Sequence, residues 1–264
     1  MSDVVRLPVR RPRLGRSAIR LWLPLLVVVA WWTLSARSTS IYFPPLSTIL
    51  DTFVTDWMSG RGWQNIQPSL VNLAVGFAVA SLLGIAVGLV LGSSRLAASA
   101  ADPIVHFLRS LPPPVLLPIA FVTFGTGPSM KIAMIAFGAV WPTLLNTIDA
   151  VRGQDPQLRD TSRAFGLTRW EQVRFVTLPS AAPQILAGLR TTMQISIILI
   201  VVSEMYASTS GIGHYVLTAQ QSFLVTETWA GTLMLGLVGL VCNNLFGLLE
   251  RRILHWERTP ALHS

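Results

Sequence analysis

Two ionisable side chains lie inside a long apolar stretch of the sequence, where a charge has few natural partners. Arg190 stands near one end of the run 184–207, and Glu204 stands near the other end. A carboxylate in hydrocarbon costs about 2.5–3.5 kcal/mol even on insertion scales, so Glu204 must face protein or water. Two interpretations of Glu204 stay open: a gate or structural tie within a helix bundle, or a carboxylate exposed to water at the membrane surface. Arg190 is expected to extend its guanidinium to the nearer membrane surface.

No pattern in the sequence is typical of bond-making chemistry or of a metal site. The histidines are scattered at positions 106, 214, 255 and 263, and the single cysteine, Cys242, lies in an apolar run. Ser208 and Ser210 stand near His214, but the G-x-S-G pattern of a serine nucleophile is absent around them, so His214 is interpreted as a polar loop residue. The sequence also has no G-x-x-x-x-G-K-[ST] phosphate loop. We therefore predict a non-catalytic chain that binds no metal or cofactor itself.

Composition indicates which elements must position these residues. Of the 264 residues, 52% are hydrophobic and only 12% are charged, against about 25% charged in a soluble domain. Apolar segments that we interpret as membrane-spanning helices cover residues 21–36, 68–94, 103–124, 132–148, 184–207 and 228–249. The first is short, but Arg20 can extend it by reaching to the membrane surface. A polar connection at 35–67 and a short polar turn from Arg95 to Asp102 are expected between the first three spans. The sequence predicts an all-α polytopic membrane protein with six transmembrane helices. Its membrane domain, 21–250, lies between a basic tail at 1–20 and a second tail at 251–264. No small-residue cleavage site follows the first apolar run, so we expect a retained span.

The distribution of basic residues predicts the sidedness of these spans. A net charge of +8 would suggest nucleic-acid binding in a soluble protein, but here the arginines flank apolar segments, so no nucleic acid is expected. With six spans, only Arg37, Arg61 and Lys131 of the 20 lysines and arginines fall on the side opposite the termini. By the positive-inside rule, both termini and the polar loop 151–182 are cytoplasmic.

Glycine and proline distinguish two of the predicted spans. In the second span, Gly76, Gly84, Gly88 and Gly92 recur at multiples of four residues. This spacing forms a stripe of small residues on which another helix can pack closely, and it needs no ligand. In the third span, the four prolines between residues 112 and 118 remove backbone hydrogen bonds, so the helix is predicted to kink or partly unwind. A structural kink and a break that lines a pathway both fit that pattern.

The polar loop 151–182 is predicted to contain two short helices. Asp155 can cap the first helix, because its carboxylate can accept hydrogen bonds from free N–H groups of the first turn. Gly166 is a natural stop, since glycine adopts positive φ without strain. Thr168–Glu171 has the spacing of a capping box and begins the second helix. Leu178-Pro179 is expected to end it.

This loop resembles the E-A-A-(three residues)-G-(nine residues)-I-x-L-P signature of the membrane subunits of binding-protein-dependent ABC importers. Asp160–Ser162 stand at the E-A-A positions, where the charge and small size are kept but all three residues differ. Gly166 stands at the glycine, and Val176, Leu178 and Pro179 form the I-x-L-P end. The resemblance implies that the first helix of the loop docks on an ATPase. The residues assigned to this coupling are Asp160, Thr161, Ser162, Arg163, Ala164, Phe165, Gly166, Leu178 and Pro179.

The resemblance also covers the fifth span and implies a set of partners. Gly188-Leu189-Arg190 and Ser203-Glu204-Met205 match the family, so Arg190, Glu204 and Met205 are candidates for a pathway or gate. The implied fold is that of a type I ABC importer permease in the bacterial inner membrane. The implied partners are a second permease subunit, expected to form a homodimer, two cytoplasmic ATPases that bind ATP and Mg²⁺, and an extracytoplasmic solute-binding protein.

Two further segments resemble one branch of that family. Phe43-Pro44-Pro45-Leu46-Ser47 and the R-S-L-P-P-P…F-G-T-G segment are similar to the nitrate, sulfonate and taurine permeases. A small solute of this kind is therefore the expected substrate, with selectivity assigned largely to the binding protein. The alternative is a secondary transporter, which should show an inverted repeat or a buried acidic relay; neither pattern is recognisable in the sequence.

Overall fold

The computed structural model describes residues 14–58, 60–206 and 208–255, and the regular structure in these ranges is entirely helical. The α-helices are α1 (Leu14–Ser35), α2 (Leu46–Trp57), α3 (Gly60–Ser93), α4 (Arg95–Ser110), α5 (Leu117–Phe124), α6 (Pro128–Arg152), α7 (Pro156–Ala164), α8 (Arg169–Gln172), α9 (Leu178–Tyr206), α10 (Ile212–Gln221) and α11 (Val225–Ile253). A 3₁₀ turn, Pro113–Leu116, precedes α5, and a π turn, Val173–Thr177, joins α8 to α9. Most of the predicted tails, 1–20 and 251–264, lies outside the described residues.

The core of the bundle is the contact between α3 and α6. The glycine stripe of α3 faces this contact: Gly76 lies against Ile135, Gly84 against Thr143, Gly88 against Thr147 and Gly92 against Val151. A Cβ atom placed on Gly88 would lie only 2.6 Å from Cβ of Thr147, so the two helices could not approach as closely with a larger residue there. The stripe thus brings two long helices together by removing side-chain volume.

Helix α9 completes the core by packing on α6 and α3. The Thr192 hydroxyl donates to the carbonyl oxygen of Ala139 at 2.9 Å, and its oxygen lies 2.7 Å from the hydroxyl oxygen of Thr143. These polar contacts are buried, so they fix the register of α9 on α6 at little desolvation cost. An apolar cluster surrounds them, formed by Leu73, Ala80, Ile135, Ala139, Leu199 and Ile200.

Four helical segments of the described chain are long and apolar enough to cross a membrane. They are Gly62–Ser93, Pro128–Arg152, Arg169–Tyr206 and Val225–Ile253. The bent pair Arg95–Ser110 and Pro113–Phe124 makes a fifth if it is taken as one broken span. The first predicted span corresponds to Trp22–Ser35 of α1, which is apolar but shorter. Length and composition therefore support up to five of the six predicted spans.

The broken span is the one in which the sequence concentrates prolines. The two halves meet at an angle of 84°. Leu111 and Pro112 are extended at the break, because each precedes a proline and is thereby excluded from helical geometry. The predicted kink is confirmed, but the predicted polar turn from Arg95 to Asp102 is wrong. Those residues belong to α4, which the Ser94 hydroxyl caps by accepting from the N–H of Ala97.

Residues 35–67, which are predicted to be a polar connection, are largely helical. This stretch contains the amphipathic helix α2 and the first turns of α3. Trp57 of α2 is buried and packs edge-on against Tyr215 of α10, with ring centroids 4.7 Å apart. The Tyr215 hydroxyl also donates to the Asp56 carboxylate. Burial, and then this carboxylate, raise the pKa of Tyr215 well above its ordinary value, so it stays a hydrogen-bond donor.

Candidate functional site

Helix α7 forms the first half of the predicted loop hairpin and is defined at both ends. The Asp155 carboxylate accepts from the N–H of Gln157 at 2.9 Å, and Pro156 occupies the first helical position. At the other end, Gly166 has φ of +73°. The N–H of Leu167 donates to the Ser162 carbonyl at 3.2 Å, and that of Gly166 donates to Arg163 at 2.9 Å. This is a Schellman stop, which needs a left-handed residue at the Gly166 position.

The two faces of α7 differ in exposure. Ser162 is only 5% exposed and faces the bundle. Phe165 is 81% exposed. Asp160 and Arg163 form an exposed pair at 3.7 Å, and Thr161 and Ala164 are also exposed. The outer face of α7 therefore presents a compact apolar group surrounded by charge.

The second half of the hairpin is continuous with a long helix, contrary to the sequence prediction. Thr168–Glu171 forms the predicted capping box. However, Leu178-Pro179 does not end this helix. The π turn Val173–Thr177 carries the chain directly into α9, and Leu178 packs beside Ala181 and Ile185. The N–H of Leu178 donates to the carbonyl oxygen of Val173, five residues earlier, so the helix turn is wider here. This wider turn accommodates Pro179, which has no N–H to donate.

Glu204 lies at the opposite end of α9 and is 1% exposed. The Ser69 hydroxyl lies 2.7 and 2.9 Å from its two carboxylate oxygens, and the N–H of Gly213 donates to it at 3.0 Å. The Ser69 hydroxyl oxygen also accepts from the N–H of Ile212 at 2.9 Å. Of the two interpretations of Glu204, a carboxylate open to outside water is therefore wrong, whereas a structural tie fits. Met205, beside it, is half-buried.

The backbone just before α10 packs tightly against this carboxylate at Gly211. Gly211 has φ of +118°, and a Cβ atom there would overlap the carboxylate of Glu204. The N–H of Gly211 donates to the side-chain oxygen of Asn65 at 3.1 Å. Glycine is therefore required at position 211 both by the backbone angle and by the space available. Together, Glu204, Ser69 and Asn65 hold this segment against α3.

Lys131 is the residue of this end that sequence reasoning missed. It is 4% exposed, and its Nζ donates to the Ser208 hydroxyl at 2.7 Å. Lys131 also interacts electrostatically with Glu204. The position of Lys131 in the first turn of an apolar span could have indicated a buried charge, but the positive-inside count places it at the outer surface. Ser208 could not be predicted as its partner, because 77 positions separate them.

Arg190 also finds a partner that was not predicted. Its guanidinium lies 2.8 Å from the Glu250 carboxylate, and this ion pair joins the inner half of α9 to the end of α11. Both side chains are partly exposed, which agrees with a position near the membrane surface. The structure does not bring Arg190, Glu204 and α7 together. About 26 residues of α9 separate Leu178 from Glu204, which is about 39 Å of helix.

His214 lies in α10, not in a loop, with its Nε2 3.5 Å from the Thr218 hydroxyl. In the described residues, no group of three or more histidine, cysteine or acidic side chains could hold a metal ion.

Comparison with known proteins gives consistent results. The family described as "Binding-protein-dependent transport system inner membrane component" matches residues 80–255. The SsuC permease protein of Bacillus subtilis, named for aliphatic sulfonate transport, is 30% identical over 98% of this chain and 94% of its own length. The nitrate import permease protein NrtB of Synechocystis is 33% identical over 81% of this chain and 76% of its own length. The taurine transport system permease protein TauC of Escherichia coli is 26% identical over 88% and 86%.

A solved structure shares the fold. A chain of the MetNI methionine ABC transporter in an inward-facing conformation superposes with a TM-score of 0.62. The match covers 72% of this chain and 94% of the MetNI chain at 21% sequence identity. The bundle described above is thus built like the permease of that transporter.

Proposed function

The chain belongs to the family of binding-protein-dependent transport system inner membrane components, and we propose that its pathway carries a small oxyanion solute such as a sulfonate, taurine or nitrate. It is the permease subunit of an ABC importer, with the fold of a type I importer permease. The substrate class is inferred from the relatives SsuC, NrtB and TauC, whose names specify sulfonates, nitrate and taurine. We assign the finer choice among these solutes to a separate binding protein.

The structural observation that carries the proposed coupling to an ATPase is the exposed helix α7. Its ends are fixed by the Asp155 cap and the Schellman stop at Gly166, so it projects as a preformed unit. Phe165 at its end is an exposed aromatic anchor, the kind of side chain that dominates binding to a partner groove. We therefore assign α7 to docking on a partner ATPase, with Asp160 and Arg163 at the rim of the contact.

The connection from α7 into the bundle supports a mechanical role for this contact. After Gly166 the chain enters α8, which passes through the π turn into α9 without a break. Near its far end, α9 carries Glu204, whose carboxylate accepts hydrogen bonds from the Ser69 hydroxyl of α3 and from the N–H of Gly213 in α10. Movement of α7 by ATPase closure would thus be transmitted along α9 to the far end of the bundle. Continuous helices are among the elements through which such coupling is carried.

The proposed assembly is a homodimer of this chain with two ATPases and one solute-binding protein. ATP and Mg²⁺ would be bound by the ATPases, and this chain would catalyse no bond chemistry. The arginines concentrated at the α7 end favour a cytoplasmic position for that end, with both termini on the same side.

The test is transport by a reconstituted complex. The full-length chain is purified with the ATPase and binding-protein chains that associate with it, and placed in proteoliposomes containing ATP. We expect uptake of labelled taurine, an alkanesulfonate or nitrate that requires both ATP and the binding protein. Uptake driven by an ion gradient in the absence of ATP would instead identify a secondary transporter and overturn the proposal.

A further inference from the structure

Beyond the transport function, a basic cavity lies at the α7 end of the bundle. Its volume is about 370 Å³, and it is lined by Gly92, Ser93, Arg95, Ser99, Arg152 and Arg159. The three arginines come from the start of α4, the end of α6 and α7. None of the described residues that line the cavity is acidic.

The charges of these arginines are largely uncompensated in the described part of the chain. The ion pairs there are Asp102–His106, Asp160–Arg163 and Arg190–Glu250, none of which includes a cavity arginine. Arg159 makes one long hydrogen bond, 3.5 Å, to the carbonyl oxygen of Val151. Three like charges around one cavity repel one another, so an anion bound there would relieve that repulsion.

The position of the cavity indicates what kind of anion would reach it. Ser93 is the last residue of the apolar span Gly62–Ser93, and Arg152 is the last residue of the span Pro128–Arg152. The cavity is therefore at the level where two apolar spans end, which is where lipid headgroups lie. The N-terminus of α4, a 16-residue helix, also opens beside it and adds a positive dipole end.

The docking face of α7 is distinct from this cavity. Arg159 and the buried Ser162 lie on the side of α7 toward the bundle, whereas Phe165 projects outward. A neighbouring cavity of about 520 Å³ shares Ser93 and Arg159 and extends the positive surface to Arg169. The proposed ATPase contact at Phe165 and the basic cavity are therefore on different faces of α7.

We propose that this cavity binds the phosphate group of an anionic phospholipid from the adjacent leaflet. Guanidinium groups match phosphate oxygens in charge and in the geometry of paired hydrogen bonds. Basic pockets between transmembrane helices on the cytoplasmic side are a recurrent form of headgroup site. The Ser99 hydroxyl also lines the cavity and can donate a further hydrogen bond to the headgroup, whereas the Ser93 hydroxyl donates to the Leu89 carbonyl at 2.6 Å.

The experiment measures lipid binding to the full-length chain in detergent by native mass spectrometry, titrating phosphatidylglycerol and, separately, phosphatidylcholine. The cavity variant is Arg95→Gln with Arg152→Gln, which leaves α7 unchanged. The matched control is Arg174→Gln with Arg251→Gln, which removes the same charge from exposed positions outside the cavity. We expect phosphatidylglycerol to bind more tightly than phosphatidylcholine, and binding to weaken roughly 10- to 30-fold in the cavity variant but less than about twofold in the control.

Three results would overturn the proposal. Equal weakening in both variants would mean that the attraction is a general effect of charge, and no weakening in either would mean that the cavity is not the site. If inorganic phosphate binds at the same arginines and phosphatidylglycerol does not, the ligand is a soluble anion and not a lipid. Should the glutamine variant fail to fold by size-exclusion chromatography, Arg95→Lys with Arg152→Lys keeps the charge but loses the paired hydrogen bonds, and a several-fold loss is still expected.

Discussion

Charged side chains are arranged in opposite ways at the two ends of the bundle. At one end, Glu204 and Lys131 are buried, and each is hydrogen-bonded to a hydroxyl from another segment, Ser69 or Ser208. At the other end, the arginines around α7 are exposed, and cavities lie between them. At the first end, the charged groups have hydrogen-bond partners within the chain. At the second end, charged and apolar side chains are exposed.

This difference distinguishes residues that stabilise the fold from residues that are available to bind a partner. A buried carboxylate destabilises the protein unless its hydrogen-bond partners are present, so the Glu204 end must be assembled for the bundle to fold. The exposed side chains of α7 carry no such requirement, because water satisfies them equally well. Substitutions at the first end should therefore reduce the stability of the chain, and those at the second should reduce binding while stability is kept.

The largest effect is expected for Glu204→Ala. The change leaves the N–H of Gly213 buried without an acceptor and the Ser69 hydroxyl with only the Asn65 carbonyl at 3.1 Å, and it removes the negative charge near Lys131. Loss of one member of a buried charged network costs about 3–5 kcal/mol. Thermal unfolding of the detergent-purified chain should show a large drop in midpoint or a failure to fold. Asp51→Ala, which removes an exposed carboxylate at the same end, should leave the midpoint nearly unchanged. Equal midpoints for the two variants would contradict the structural tie.

A smaller loss of stability is expected along the α3–α6 contact, which connects the two ends. In Gly88→Ala the new Cβ would meet Thr147 at 2.6 Å, so the helices must separate. Overpacking of this kind costs about 1–3 kcal/mol. Gly239→Ala in α11 is the matched control, because nothing lies within 4 Å of its Cβ position. Alanine there should be neutral or slightly stabilising, since it is the better helix former. If both variants unfold at the same temperature, the stripe is not a packing contact.

The features that the sequence predicted correctly are those encoded over a few residues. The Asp155 cap and the Thr168–Glu171 capping box follow from side chains that accept hydrogen bonds from free N–H groups a few residues away, and the stop at Gly166 follows from the freedom of glycine to adopt positive φ. Spans follow from long apolar runs, and the break in the third follows from its prolines. These interactions are local, so composition and spacing are enough to specify them.

The features that could not be predicted depend on which distant residues meet. Lys131 and Ser208 are 77 positions apart, and Ser69 and Glu204 are 135 apart. The ion pair between Arg190 and Glu250 could not be predicted for the same reason, because the two residues are far apart in the sequence. The error at Leu178-Pro179 is different in kind. Proline is a strong local signal for a helix end, but a π turn and packing on α6 outweighed it.

At the α7 end, the effect on stability should be smaller and local. In Gly166→Val, a β-branched residue must adopt φ of +73°, which costs about 1–2 kcal/mol. Because nothing lies within 4 Å of the new Cβ, the strain comes from the backbone alone. Hydrogen–deuterium exchange should become faster over residues 156–166, with little change elsewhere in the bundle. Gly166→Asn should exchange almost like the original chain, since asparagine tolerates the left-handed region. Global destabilisation by Gly166→Val would show that α7 is part of the core.

The smallest effect on stability, and the sharpest on binding, is expected for Phe165→Ala. Phe165 is 81% exposed, so its loss should change the free energy of unfolding by less than about 0.5 kcal/mol. If it anchors α7 in an ATPase groove, its removal should weaken association by about 2 kcal/mol or more, roughly 30-fold.

Phe223→Ala is the matched control, because Phe223 is 85% exposed at the Glu204 end, which an ATPase on α7 does not reach. Asp160→Asn should have an intermediate effect, since an exposed ion pair contributes only about 0–1 kcal/mol. The measurement is titration of the partner ATPase onto the purified chain, followed by ATP-dependent uptake with each variant. If Phe165→Ala binds the ATPase as tightly as the original chain, α7 is not the docking element. If both phenylalanine variants lose the same affinity for the ATPase, binding is not specific to the α7 end.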